Sequence, residues 1–304
     1  MTKIVLVLVA RQGSSRLPGK ALCEVSGRPM IWHIIERLKR VRGVDTIVLA
    51  TTTRSEDIPL VAVAKECGVQ GFAGSAEDVL DRVYQAASAH QAEVIVHIGG
   101  DCPFVDPPIV ERALEIFFSE PLDYVTNTLV QTYPSGLDVN VFSWQALARA
   151  WKEATLAADR HHLCAYFHRH VEKFQVKNFG HETPLAFWRW TLDYPEDLAF
   201  VREVYRHLYR EGEVFHQEDI LDLLQRRPDI AAINQERALT LAERPAVWDS
   251  EGYLFDLQKD LMVSAQKAVE ADQKGRFAEA EQLYRELTRI AQELGERTRA
   301  LARA

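Results

Sequence analysis

Ile4-Val5-Leu6-Val7-Leu8-Val9-Ala10 runs directly into Arg11-Gln12-Gly13-Ser14-Ser15-Arg16-Leu17-Pro18-Gly19-Lys20. The first seven residues are a continuous apolar run, rich in Val and Leu, that Arg11 breaks. The run is too short for a membrane span and too uniformly apolar for a strand with one wet face, so it reads as a strand buried on both faces. The second stretch holds two glycines, two serines, three cations and a proline. Glycine lets backbone N–H groups turn inward onto an anion, and Arg11, Arg16 and Lys20 can neutralise several phosphate oxygens. The spacing is not that of a Walker loop, because Gly13 and Gly19 enclose five residues and Ala21 follows Lys20. It is not GxGxxG either, which disfavours a dinucleotide site. A phosphate-binding loop is the functional reading and a solvated basic loop the bland one.

Working outward, strand and helix signals alternate over the first hundred residues. Ile31, Ile34, Ile35, Leu38 and Val41 stand at helical spacing within Arg28–Val41. Thr46–Ala50 is a second strand, Leu60–Cys67 a helix, Val69–Phe72 a strand, Asp78–Ala89 a helix and Val94–Ile98 a strand. Asp106-Pro107-Pro108 reads as an N-cap with proline in the first turn of the next helix. This rhythm predicts an α/β fold with a doubly wound, mostly parallel sheet. Ligands of such sheets sit at the carboxyl ends of the strands near a topological switch point, so the loops after Ala10 and Ile98 are the places to look. From Asp123 to Asp193 short strand-like pieces (Tyr124–Asn127, Val139–Phe142, Phe174–Asn178, Trp188–Leu192) mix with helices. Helices over Pro195–Arg210 and Glu218–Arg226 follow.

Past Gln235 the chain becomes more charged and strand signals cease. Leu254–Lys274 and Phe277–Leu294 read as two amphipathic helices, a C-terminal hairpin. Gly275-Arg276-Phe277-Ala278-Glu279-Ala280-Glu281-Gln282-Leu283-Tyr284 resembles the turn and second helix of one tetratricopeptide unit. A single unit cannot bury a core. A hairpin packed on the main domain or on a second subunit, and a peptide-binding repeat, are both open. The expected domains are 1–235, the catalytic unit, and 236–304, the helical tail.

The composition bounds the function. The 304 residues carry 36 Lys and Arg against 44 Asp and Glu, a net charge of −8, which is poor for a nucleic-acid binder. The four cysteines form no CxxC pair, so reduced thiols and a cytoplasmic setting are expected, with no membrane span.

Five stretches in register carry a resemblance. They are the loop Ala10–Lys20; Gly74-Ser75-Ala76-Glu77-Asp78-Val79-Leu80-Asp81-Arg82; Gly99-Gly100-Asp101-Cys102-Pro103; Tyr133-Pro134-Ser135-Gly136-Leu137-Asp138-Val139; and Arg189-Trp190-Thr191-Leu192-Asp193-Tyr194-Pro195-Glu196-Asp197-Leu198. Residues 1–234 thereby resemble the nucleotide-sugar cytidylyltransferases, most of all the spore-coat polysaccharide type, related to CMP-ketodeoxyoctonate and CMP-nonulosonate synthetases. The resemblance implies a nucleotide-diphospho-sugar transferase (glycosyltransferase-A-like) sheet. It also implies transfer of CMP from CTP to an acidic sugar with pyrophosphate release, and magnesium as cofactor. It assigns nucleotide binding to Ala10, Arg11, Gly13, Ser14, Ser15, Arg16, Lys20, Ser75, Arg82 and Gly100. Arg11, Arg16, Lys20 and Asp101 take the catalytic roles, and Asp101 and Asp193 match the metal carboxylates. Asn127, Gly136, Asp138, Arg160, His162 and Arg189 fall on the acceptor side. Family enzymes are often dimeric, so a homodimer is expected, with CTP and a sugar acceptor as small-molecule partners.

On chemistry alone Asp193, just before Pro195, also reads as a helix cap, and Arg82 as a surface arginine. Asp138, placed inside an apolar strand, would be costly to bury unpaired. The family's Arg-Glu-His-Val-Thr stretch is Arg160-His161-His162-Leu163-Cys164 here, which leaves the acceptor's identity open. A zinc site from His161, His162, His168 and His170 is a weak alternative, with no carboxylate to complete it. The rival functions are CMP transfer to a phosphonate or sugar phosphate, a glycosyltransferase on the same sheet, and a nucleotide-binding assembly protein.

Overall fold

A computed structural model describes residues 2–237 together with 282, 284 and 285. The tail hairpin, its tetratricopeptide likeness and the homodimer expected through it lie outside the described residues. The apolar runs become β1 (Ile4–Val9), β4 (Thr46–Thr52), β5 (Gln70–Gly74) and β6 (Val94–Gly99), with a small hairpin, β2 (Glu24–Val25) and β3 (Arg28–Pro29), after the first loop. The periodic stretches become α1 (Met30–Leu38), α2 (Ile58–Glu66), α3 (Val79–Ala89) and α4 (Pro107–Ser119). Then come β7 (Tyr124–Thr126), β8 (Asn140–Ser143), α5 (Trp144–Glu153), α6 (Ala157–His161), α7 (Ala165–Arg169) and β9 (Val176–Asn178). The helices α8 (Pro195–Leu208) and α9 (Gln217–Arg226) follow.

The seven-stranded sheet has the order β5-β4-β1-β6-β8-β7-β9. β1, β4, β5 and β6 pair in parallel, β8 runs antiparallel between β6 and β7, and β9 is parallel to β7. The sheet is mostly parallel, as the sequence predicts. Alternate residues of β1 explain the double winding. Ile4, Leu6 and Leu8 join a core with α1, α2, α4 and α8, while Val5, Val7 and Val9 face α3 and α5. Leu6 and Leu8 are fully buried, a gain of roughly 1.5–3 kcal/mol each. The chain moves from β1 outward to β4 and β5, then returns to β1's other side as β6. That reversal is the switch point, and it sets the loops after β1 and β6 side by side.

Two expectations are corrected. Trp188–Leu192 is no strand; it makes one isolated bridge, Ser135 with Arg189. Its apolar residues are spent as plugs: Trp190 and Leu192 are fully buried, and the Leu192 N–H donates to the Asp101 carbonyl at 2.9 Å. Asp106 stands at the start of α4 but does not cap it with its side chain. Its carboxylate accepts from the Gln217 N–H at 2.9 Å and pairs with His216 Nδ1 at 2.7 Å, so it closes the start of α9 instead.

Candidate active site

A cleft of about 500 Å³ opens where β1 and β6 end. The loop after β1 supplies Ala10, Arg11, Gly13, Ser14, Ser15, Arg16 and Lys20 to its wall. The loop's shape is set from behind. The Gln12 N–H donates to buried Asp57 at 2.6 Å, and the Gln12 carbonyl accepts from Ser14 and Gly19 at 2.8 and 3.0 Å. Gly100 clamps the two strand ends: its N–H donates to the Val9 carbonyl at 2.8 Å, and a Cβ there would come within 2.7 Å of Ala10 Cβ. Only glycine allows that approach.

The charges converge one turn beyond. Lys20 Nζ donates to Asp193 at 3.0 Å, to Asp101 at 3.4 Å and to the Leu192 carbonyl at 2.9 Å. Arg16 reaches Asp193 at 2.9 Å. Buried Arg189 holds the other Asp193 oxygen at 3.1 Å and forks onto Asp197 at 2.9 and 2.8 Å. Burial alone would lower the Lys20 pKa, but Asp101 and Asp193 outweigh it and raise it. Burial alone would raise that of Asp193, but Lys20, then Arg16 and Arg189, hold it below the usual carboxylate range. The helix-cap alternative for Asp193 fails: Tyr194 stands at the N-cap of α8, and Asp197 in its first turn accepts from the Asp193 and Tyr194 N–H groups, each at 2.9 Å.

Asp101 and Asp193 thus share one ammonium at the edge of a glycine-rich loop. A hard divalent cation asks for that donor set, one or two carboxylates with room for phosphate oxygens, so the pair fits magnesium. Among the described residues no group of three or more His, Cys, Asp and Glu could hold a metal, so the histidines at 161, 162, 168 and 170 form no zinc site.

The α3 side of the cleft holds Arg82, which is not a surface arginine. It is 1% exposed, donates to the Ser75 carbonyl at 2.8 Å, and has its pKa lowered to about 10 by burial and then by Arg11. Ser75 itself does not line the cleft. It shapes the start of α3, with Oγ accepting from the Asp78 N–H at 3.0 Å. His162 lines the cleft, and burial lowers its pKa.

Asn127, Gly136, Asp138, Arg160 and Arg189 are not among the cleft-lining residues. Both ends of the Asn127 amide are used within its own hairpin, donating to the Leu137 carbonyl and accepting from the Val139 N–H at 2.8 Å each. Arg160 docks α6 on α3 through Asp78 and the Trp151 carbonyl, both at 2.6 Å. Asp138 lies just before β8, not inside a strand. Burial, then the charge of Asp101, pushes its pKa up to about 6, and it accepts from Gln131 at 3.0 Å. Gly136 has φ +105° and lies flat on Trp190, whose carbonyl carbon and oxygen a Cβ would meet at 2.7 Å. Gly136→Ala should therefore cost about 2 kcal/mol or more. Urea unfolding checks this, and an unshifted midpoint would refute the packing described.

Sequence reading missed His97, His161, Val79 and Leu163, all of which line the cleft. His97 carried a legible signal, as the one ring nitrogen donor in an otherwise apolar buried strand, Val94–Gly99. The others arrive through the packing of α3 and α6.

A sequence model described as "Cytidylyltransferase" matches residues 4–297, running past the boundary expected near 235. The Bacillus subtilis protein SpsF of spore coat polysaccharide biosynthesis is 29% identical over 240 residues, 76% of this chain and 98% of its own. A 3-deoxy-manno-octulosonate cytidylyltransferase of Anaeromyxobacter dehalogenans is 36% identical over 117 residues, 38% of this chain and 47% of its own. The solved structure of a cytidylyltransferase from Leptospira borgpetersenii superposes with a TM-score of 0.73 at 27% identity, covering 76% of this chain and 97% of that one. A family match over nearly the whole length, and a sheet that places the glycine-rich loop against Asp101 and Asp193, make this chain a member of the cytidylyltransferase family of nucleotidyltransferases.

Proposed function

We propose that the enzyme transfers CMP from CTP to an acidic sugar of the 3-deoxy-manno-octulosonate kind and releases pyrophosphate. The observation that carries this reading is the meeting of Arg16 and Lys20 with Asp101 and Asp193 beside the Gly13–Ser15 backbone. The names of the relatives supply the nucleotide and the acceptor class.

An acceptor oxygen forms a bond to the α-phosphorus as the bond from that phosphorus to the pyrophosphate oxygen breaks. Charge builds on the leaving pyrophosphate, so the protein's task is positioning and electrostatic stabilisation. Arg11, Arg16 and Lys20 would neutralise the phosphate oxygens, with loop N–H groups orienting them. Asp101 and Asp193 would hold the magnesium ion, which when bound adds positive charge against the triphosphate. Arg189 and Asp197 hold the Asp193 carboxylate in place. His161 and His162, which line the same cleft, would face the acceptor. A cytoplasmic setting accords with the unpaired thiols at Cys23, Cys67, Cys102 and Cys164. No helix among the described residues is long and apolar enough to cross a membrane.

Arg16→Ala and Lys20→Ala should each weaken CTP binding about tenfold or more, the worth of a charge-assisted contact. Calorimetric titration with CTP measures this. Wild-type affinity in both variants would remove the loop from the nucleotide site.

A further inference from the structure

His97 stands inside β6, in register with Val7 of β1 and Asn140 of β8, and lines the cleft. Its Nδ1 is shielded from solvent and has no hydrogen-bond partner. That leaves Nε2 as the nitrogen available to a ligand. A second ring proton would sit on Nδ1 as a buried N–H with nothing to donate to, so the ring acts as a neutral group. Beside it Arg82 is also incompletely used: its Nη1 donates to Ser75, but its buried Nε has no partner.

The cleft therefore has two chemistries. Arg16 and Lys20, with Asp101 and Asp193, make an ionic part. His97, Val79 and Leu163 make a part in which Arg82 is the buried cation. Phosphates belong to the first. An anionic acceptor would gain little from a neutral imidazole close to the Asp101 charge. The component that suits the second part is uncharged, polar and flat-sided. We infer that His97 reads the nucleoside of the bound nucleotide, donating one hydrogen bond from Nε2–H to an acceptor atom of its sugar or base. This inference rests on the nucleotidyl-transfer function proposed above.

The test is calorimetric titration of full-length wild type, His97→Leu and His97→Asn with CTP, CMP and inorganic pyrophosphate. His97→Leu should bind CTP and CMP about tenfold more weakly, the effect of one lost hydrogen bond in a desolvated site. Pyrophosphate, which has no nucleoside, should bind as before. His97→Asn retains a neutral hydrogen-bonding side chain and should recover part of the loss, and it carries the test if the leucine variant does not fold. Unchanged CTP and CMP affinities, or an equal loss for all three ligands, would overturn the assignment. Wild type that takes another nucleoside triphosphate in place of CTP would refute the cytidine reading, and the same comparison made with that nucleotide would still decide the role of His97.

Discussion

Asp193→Asn and Asp101→Asn should each lower the rate of CMP transfer about a hundredfold or more while the protein stays folded. Both replacements keep the side chain's shape and remove its charge. Asp193 is the partner of Arg16, Lys20 and Arg189 together, so its loss leaves three cations facing one neutral amide. The ammonium of Lys20 would then keep the Leu192 carbonyl but have Asp101, at 3.4 Å, as its one charged partner among the described residues. Removal of a preorganised electrostatic contact of this kind costs about 100-fold or more in rate. Steady-state kinetics at saturating magnesium, with circular dichroism to check folding, measures the effect. A near-normal rate in either variant would refute the metal-holding role of that carboxylate.

Arg189→Met should act on stability and on turnover together. The arginine and Asp197 are 1% and 0% exposed at their side chains, and Arg189 forks onto Asp197 while holding Asp193 with the same Nη2. Without it Asp197 keeps N–H donors from Asp193, Tyr194 and Asn234 but no cation. An uncompensated buried charge costs about 3–5 kcal/mol when one partner of such a pair is removed. Urea unfolding should show that loss, and the released Asp193 should bring a rate defect beyond it. A midpoint shift worth under about 1 kcal/mol would mean that the pair is not the brace described here.

That arginine also marks where the sequence stops being legible. β1, β4, β6, α1 and α3 were readable because each runs as one uninterrupted pattern, apolar runs for buried strands and three-to-four spacing for helices. The loop after β1 was readable because its composition is local. The resemblance puts Arg189 on the acceptor side, and the structure sets it beneath Asp193, because its bond to Asp197 forms only when the turn before α8 closes. Arg160 and Asn127 moved for the same reason: their partners, Asp78 with the Trp151 carbonyl and the 137–139 backbone, are brought to them by packing. Asp106 shows the limit of a local capping signal, since the donors of a distant helix won its carboxylate. Trp188–Leu192 had a strand's apolar content, but Trp190 and Leu192 fill the core from a segment that pairs at one point only.

In the function proposed above, this cleft joins the α-phosphate of CTP to a sugar acid. Pyrophosphate release, followed with each of the four ribonucleoside triphosphates and magnesium against 3-deoxy-manno-octulosonate and other sugar acids, sugar phosphates and phosphonates, tests it most directly. Release should require CTP together with a sugar acid and should disappear in Asp193→Asn. Release confined to another nucleotide, or to sugar phosphates or phosphonates, or no release with any pair, would contradict it.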